Sequence, residues 1–240
     1  MKKKLQNSPG ATTTIEKPPH YDLEIEQPEN GYRYNQDPFL LARFIKEHRD
    51  QWRAQLNGKC LDMGTGVGIL PLLLAPDFPD THFTGIEIQK ELATLASNNV
   101  RRNRLNQQIK IITADYYDLN KKSSFSENFQ MIICNPPYYP ENGGRLNLCP
   151  QKCLARHEIT GNLENLVRTA ASYLATKGLF VIIFPAERLV ELTTHLKSQK
   201  LEPKHLKFIH PNHSDRAGNL LLAARKHGAP GIIIENPLMI

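Results

Sequence analysis

An open, doubly wound α/β domain on a mostly parallel sheet of seven strands is what this sequence predicts. From residue 59 onward, short apolar runs bounded by turn residues alternate with segments of helical periodicity. A glycine cluster follows the first of these runs and opens a helical segment, and no internal repeat breaks the alternation. Strands joined by helices of this length imply parallel crossovers, with helices on both faces of one sheet. In such sheets ligands bind beyond the carboxyl ends of the strands.

The first thirty residues are rich in Pro, Thr, Asn and charge and read as a flexible tail, with the folded domain spanning 31–240. Asp37 before Pro38 reads as the N-cap of a helix whose apolar face is Phe39, Leu40, Phe44 and Ile45. Residues 59–63 form the first strand, and 69–75 a helix ended by Pro76. The second strand is 82–88, and 91–104 carries Leu92, Leu95, Ala96 and Val100 at helical spacing. Strands at 109–113 and 129–134 follow, then a helix over 162–176 with Gly178 as its stop. The fifth strand is 179–184, the next helix 187–198, and the last strands 206–209 and 220–224.

Hydrophobic content of 40% and charged content of 22% fit a soluble globule, and +6 is compatible with a polyanionic partner without demanding one. Four cysteines make no disulfide framework; Cys60 and Cys134 sit in apolar runs as small buried hydrophobes. Cys149, Cys153 and His157 are spaced by four but lack a fourth ligand, so a polar loop with reduced thiols is the better reading and no metal is expected. Met1-Lys2-Lys3-Lys4 leads into no apolar signal core, and no run approaches membrane-spanning length. A cytoplasmic protein with no membrane partner is expected.

Asp62-Met63-Gly64-Thr65-Gly66-Val67-Gly68 links the first strand to the first helix of the alternating region. Glycines there permit positive φ and close approach of a ligand to the backbone, and the helix offers its free N–H groups. Glu87, ending the second strand 19 residues past Gly68, can accept both ribose hydroxyls of a nucleoside cofactor. The glycines run G-x-G-x-G rather than in the dinucleotide pattern, and Ile69 stands where the last fingerprint glycine would be. Asp62 suits a cationic ligand better than a pyrophosphate. S-adenosylmethionine meets those terms, with a ribose, an adenine and ammonium and sulfonium charges. Asp115, after the third strand, is either a loop or cap residue or an acceptor for the adenine amino group, with neighbours such as Tyr116 flanking the ring.

Asn135-Pro136-Pro137-Tyr138 ends the fourth strand. Two prolines hold the backbone extended and remove two donors, leaving an acceptor-rich edge. The Asn135 side-chain oxygen and the Pro136 carbonyl can each take one hydrogen of an exocyclic amine, aiming its lone pair at a sulfonium methyl. Tyr138 offers a ring for a base to stack on, worth about 1–3 kcal/mol.

The pairing of the glycine loop with this tetrapeptide resembles S-adenosylmethionine-dependent amino-methyltransferases of Rossmann-like, class I fold. The segments 31–41, Gly85-Ile86-Glu87-Ile88-Gln89 and Ala155-Arg156-His157-Glu158 resemble the bacterial tRNA adenine-N6 methyltransferases, from about residue 22 to near the C-terminus. That family modifies the adenosine immediately 3′ to the anticodon of a valine tRNA. The resemblance implies Asp62, Gly64, Thr65, Gly66, Glu87, Ile88, Asp115, Tyr116 and Asn135 at the cofactor. It implies Asn135, Pro136 and Tyr138 at the target amine, and the segment from Tyr34 to Asp37 closing over the cofactor. Residues between Tyr139 and Cys153 depart from the family pattern. Phosphate contacts are expected after Tyr139, at Arg145, Lys152 and Arg156, although Arg156-His157-Glu158 reads equally well as a local salt-bridge set. Arg101, Arg102 and Arg104, then Lys121 and Lys122, and later Lys197, Lys200, Lys204 and Lys207 are further candidates, the first group being also favoured by the helix dipole. Tyr139 completes the substrate side.

Two readings compete. A glutamine-amide methyltransferase acting on a protein would use the same tetrapeptide but usually carries a larger helical N-terminal domain. A nicotinamide-dependent oxidoreductase is opposed by the glycine spacing.

Overall fold

A computed structural model gives the architecture of the chain and describes residues 12–31, 33–118, 128–136, 163–213 and 215–240. The main sheet is built from β3 (Lys59–Met63), β4 (His82–Glu87), β5 (Ile109–Thr113), β6 (Phe129–Cys134), β7 (Leu174–Pro185), β8 (Leu201–His210) and β9 (Asn219–Lys226). Two short strands, β10 (Ile233–Ile234) and β11 (Leu238–Met239), add to the free edge of β8. The order is β10-β8-β9-β7-β6-β3-β4-β5, with β9 antiparallel to both neighbours and every other pairing parallel.

Strict alternation explains why both faces of this sheet are dry. Cys60, Met131, Ile133, Val181, Ile183 and Leu221 point into one core cluster, with α1 (Asp37–Glu47) and α3 (Ile69–Leu74) packed over it. Leu61, Met63, Ile132, Phe180, Ile182 and Leu222 point into the other, under α5 (Leu163–Tyr173) and α6 (Leu189–Ser198). A period of two puts successive residues on opposite faces, and both faces here are covered by helices. A single turn, α2 (Arg53–Leu56), precedes β3, and α4 (Lys90–Arg102) joins β4 to β5. Among the described residues no helix is long and apolar enough to cross a membrane.

Several expectations need correction. Residues 13–28 are not a tail: β1 (Thr13–Glu16) and β2 (Ile25–Pro28) pair antiparallel, with Ile25 and Leu23 buried. Four-residue strands with so few apolar side chains leave little periodicity to read. Asp37 is the first helical residue rather than the cap, which is Gln36. The helix expected to reach 176 ends at Tyr173, and Gly178 lies inside β7, because Leu174 already pairs with Phe129. Among the described residues the sheet has nine strands: the seven expected and β10 and β11, two-residue additions paired with β8.

Candidate active site

The chain reverses sheet direction at β3, which lies between β4 and β6, so a crevice opens beyond the carboxyl ends of β3 and β6. Gly64, Gly66 and Gly68 there have φ of 78°, 58° and 84°, a region L side chains enter only with strain. The Gly64 and Thr65 N–H groups both donate to the Ile86 carbonyl, at 3.0 and 2.9 Å, which ties the loop to β4. A side chain on Gly64 would meet no atom within 4 Å, so the backbone at this corner borders open space.

Glu87 is buried, and its carboxylate accepts the Gly66 N–H at 2.9 Å and the Gln89 N–H at 2.9 Å. Burial raises its pKa while those N–H groups and that of Ile88 oppose the rise. Two donors on different oxygens hold the carboxylate in one orientation and leave lone pairs for hydroxyl donors. Ile88, next along, is 40% exposed.

Asp62 is 1% exposed, and neither of its oxygens, nor the Thr65 hydroxyl, finds a hydrogen-bond partner among the described residues. Burial pushes Asp62 up to about 7, with the nearby Thr65 hydroxyl pulling down and the Glu87 charge pushing up. An unpaired buried carboxyl is expensive to keep, so a cationic donor at this spot fits the site.

β6 delivers the second half. Met63 pairs with Cys134, whose thiol lies 3.5 Å from the Met63 carbonyl, so Asn135 begins where the glycine loop begins. Asn135 is half-buried and Pro136 buried. Pro137, Tyr138, Tyr139, Arg145, Lys152, Arg156 and the Cys149, Cys153, His157 set lie outside the described residues. Burial pushes the Cys60 and Cys134 thiols well up, which leaves them as unreactive small hydrophobes.

Asp115 accepts the Tyr117 N–H at 2.8 Å, so it does cap a turn, with one oxygen committed. Ala114 N–H donates to the Glu87 carbonyl at 3.0 Å, keeping this turn beside the second carboxylate. Tyr116 is 9% exposed and belongs to the core beneath, with Met63, Ile86 and Cys134. Asn35 and Asn219 both donate to the Asp37 carboxylate, at 2.7 and 3.3 Å. Asn219 pairs with Pro185 at the carboxyl end of β7, so the segment before α1 reaches the same edge as the crevice. Tyr34 sits against Phe39, and burial with the Glu16 charge pushes its hydroxyl up to about 12.

Many of the expected phosphate contacts are engaged within the protein. Arg102 pairs with Glu26, Lys197 with Glu202, and Lys207 with Glu47 and Glu235, while Lys204 donates to two backbone carbonyls. One residue escaped notice. Asn99, fully buried, donates to the Val67 carbonyl at 3.0 Å and the Glu26 carbonyl at 2.8 Å and accepts the Glu26 N–H at 2.7 Å. A polar residue in register with Leu92 and Ala96, on the apolar face of α4, was the available signal.

The sequence profile of the methyltransferase small domain matches residues 39–201. A Porphyromonas gingivalis protein named tRNA1(Val) (adenine(37)-N6)-methyltransferase is 30% identical over 185 residues, 77% of this chain and 71% of its own length. An Escherichia fergusonii protein of the same name is 32% identical over 130 residues, 54% of this chain and 51% of its own. Among solved structures, a predicted O-methyltransferase from Agrobacterium tumefaciens superposes with a TM-score of 0.65 at 20% identity, covering 84% of this chain and 86% of that one. An S-adenosylmethionine-dependent methyltransferase from Clostridium acetobutylicum gives 0.56 at 11% identity, covering 81% and 93%. Both likenesses are of fold.

Proposed function

From a chain that belongs to the methyltransferase small domain family and to the tRNA1(Val) (adenine(37)-N6)-methyltransferases, we infer an enzyme that methylates the exocyclic N6 of an adenine in RNA. Its donor is S-adenosylmethionine, and its target is the adenosine immediately 3′ to the anticodon of a valine tRNA, in the cytoplasm. One observation supports the reading: β3 and β6 end side by side, so Asn135 follows β6 next to the start of the glycine loop, and the buried Asp62 carboxyl of β3 has no partner among the described residues.

In this reading Asp62 and the Thr65 hydroxyl receive the ammonium end of the donor. Glu87, held by the Gly66 and Gln89 N–H groups, accepts the ribose hydroxyls. Gly64 and Gly66 let the ligand lie against the backbone, and the remaining oxygen of Asp115 takes the adenine amino group between Ile88 and the Tyr116 turn. When bound, S-adenosylmethionine supplies a methyl group already activated by its sulfonium. The Asn135 side-chain oxygen and the Pro136 carbonyl accept the two hydrogens of the target amine, which directs its lone pair outward and stabilises positive charge as it develops. No strong base is required, because the proton leaves after the new bond has formed. Tyr138 and Tyr139 stack the base once it is turned out of the RNA, and Arg145 and Arg156 take phosphates.

Two variants test the division of labour. Asn135→Ala should bind S-adenosylhomocysteine within about threefold of wild type by calorimetry, while methyl transfer to tRNA falls at least about a hundredfold. Glu87→Ala should weaken S-adenosylhomocysteine by about tenfold or more. Equal loss of binding and transfer in Asn135→Ala would contradict the amine clamp, and transfer to a protein glutamine instead of RNA would favour the competing amide reading.

A further inference from the structure

Far from the crevice, three residues widely separated in the sequence converge: His48 at the end of α1, His205 on β8, and Glu235 just after β10. His48 Nδ1 lies 2.8 Å from the Phe44 carbonyl. A carbonyl can only accept, so Nδ1 carries the hydrogen, and in the neutral ring Nε2 then presents a bare lone pair. That lone pair faces Glu235 Oε1 at 2.8 Å, and His205 Nδ1 lies 3.1 Å from the same oxygen. A contact that short needs something positive at the pair: a shared proton as the side chains stand, or an ion that both atoms bind at about 2.0–2.2 Å by moving slightly apart.

We propose that His48 Nε2, His205 Nδ1 and Glu235 Oε1 bind a divalent transition-metal ion of the zinc type, with solvent as the fourth ligand. These ligand atoms all lie within 4.8 Å of one another, a span from which one central ion can draw them in. Imidazole and carboxylate ligands suit zinc and its neighbours rather than magnesium or calcium. The surroundings are those of a supported site. A backbone carbonyl holding the other nitrogen of the imidazole is the partner that metal-bound histidines use, and Phe44 supplies it. Lys207 holds the other oxygen of Glu235 at 3.0 Å, and Glu47 balances that lysine. The Trp52 ring stacks on His48 at 4.3 Å and 13°. The side chains of His48, His205 and Glu235 are 11%, 6% and 16% exposed, so a solvent ligand has a way in.

Such an ion would fasten the C-terminal segment, whose strands are two residues each, to the end of α1 and to β8. The site uses neither Cys149 nor Cys153, and no local spacing announces it.

Trp52 is the only tryptophan in the chain, which makes its fluorescence a reporter placed against one ligand. The full-length protein, freed of metal by chelation, should be titrated with Co²⁺ and then challenged with Zn²⁺. One equivalent of Co²⁺ should quench Trp52, its visible spectrum should lack a thiolate charge-transfer band, and Zn²⁺ should reverse the quenching. His205→Gln and Glu235→Gln, each with native circular dichroism, should bind at least tenfold more weakly. Absence of quenching in the wild-type protein, unchanged affinity in both variants, or a thiolate band would each overturn the proposal. The first of these would leave the three side chains as a hydrogen-bonded cluster with no ion.

Discussion

Asp62 lies in β3 and Asn135 just past the end of the neighbouring β6, and the proposed function gives them opposite tasks, with an electrostatic contrast. Asp62 is buried, and its oxygens find no hydrogen-bond partner among the described residues; burial lifts its carboxyl to about 7 from an unfolded value near 3.8. The sign is the reverse of a salt-bridged carboxylate. Between those two pH values the folded chain holds a proton that the unfolded chain has lost, so the group lowers stability as pH rises through the window. Asp62→Asn removes that penalty: at pH 8 the unliganded variant should be more stable by on the order of 1–4 kcal/mol, read as a higher Tm. The same variant should lose most of its affinity for S-adenosylhomocysteine. Wild-type affinity should fall as pH drops below about 7, by up to about tenfold per unit, since the ligand ammonium must displace a proton. A flat profile from about pH 6 to 8 would remove Asp62 from the ammonium site.

At the scale of elements, α4 does more than cross from β4 to β5. Asn99 and Asn103, one turn apart, each accept an N–H from β2 or the residues before it and return a hydrogen to the same residue's carbonyl. The helix thus presents side-chain amides where a neighbouring strand would present backbone. Asn99 alone also reaches Val67 in the glycine loop. Asn99→Ala leaves three backbone groups without that partner and should cost about 1–3 kcal/mol. It should weaken S-adenosylhomocysteine as well, because the loop loses an anchor. Asn103→Ala should lower Tm by a similar amount and leave that affinity unchanged. Identical binding losses in both variants would mean that the hairpin, not the Val67 contact, sets the loop.

For the molecule as a whole, the hairpin β1–β2 is part of the body. Leu23 and Ile25 are buried against the core, and each such side chain contributes about 1.5–3 kcal/mol when removed from water. Removing residues 1–30 should therefore lower the urea midpoint measurably and weaken the cofactor through Asn99. An unchanged midpoint would restore the tail. The sheet interior should be the slowest region to exchange amide hydrogens, since β3, β6, β7 and β9 have partners on both edges.

The order of strands and helices, the glycine loop, the acids at the ends of the second and third predicted strands and the stop of the fourth before Asn135-Pro136 were all legible in the sequence. Each is a local demand: a period of two or of 3.6, a positive φ, a missing N–H. The boundaries around Tyr173 and the strands after residue 230 were not, because there pairing with a distant strand outweighs local preference. Tertiary structure alone decided that Met63 lies beside Cys134, that Asp62 finds no donor among the described residues, and that His48, His205 and Glu235 meet. Such juxtapositions depend on which strand lies next to which and in what register, and long-range register leaves no trace in any short stretch of chain.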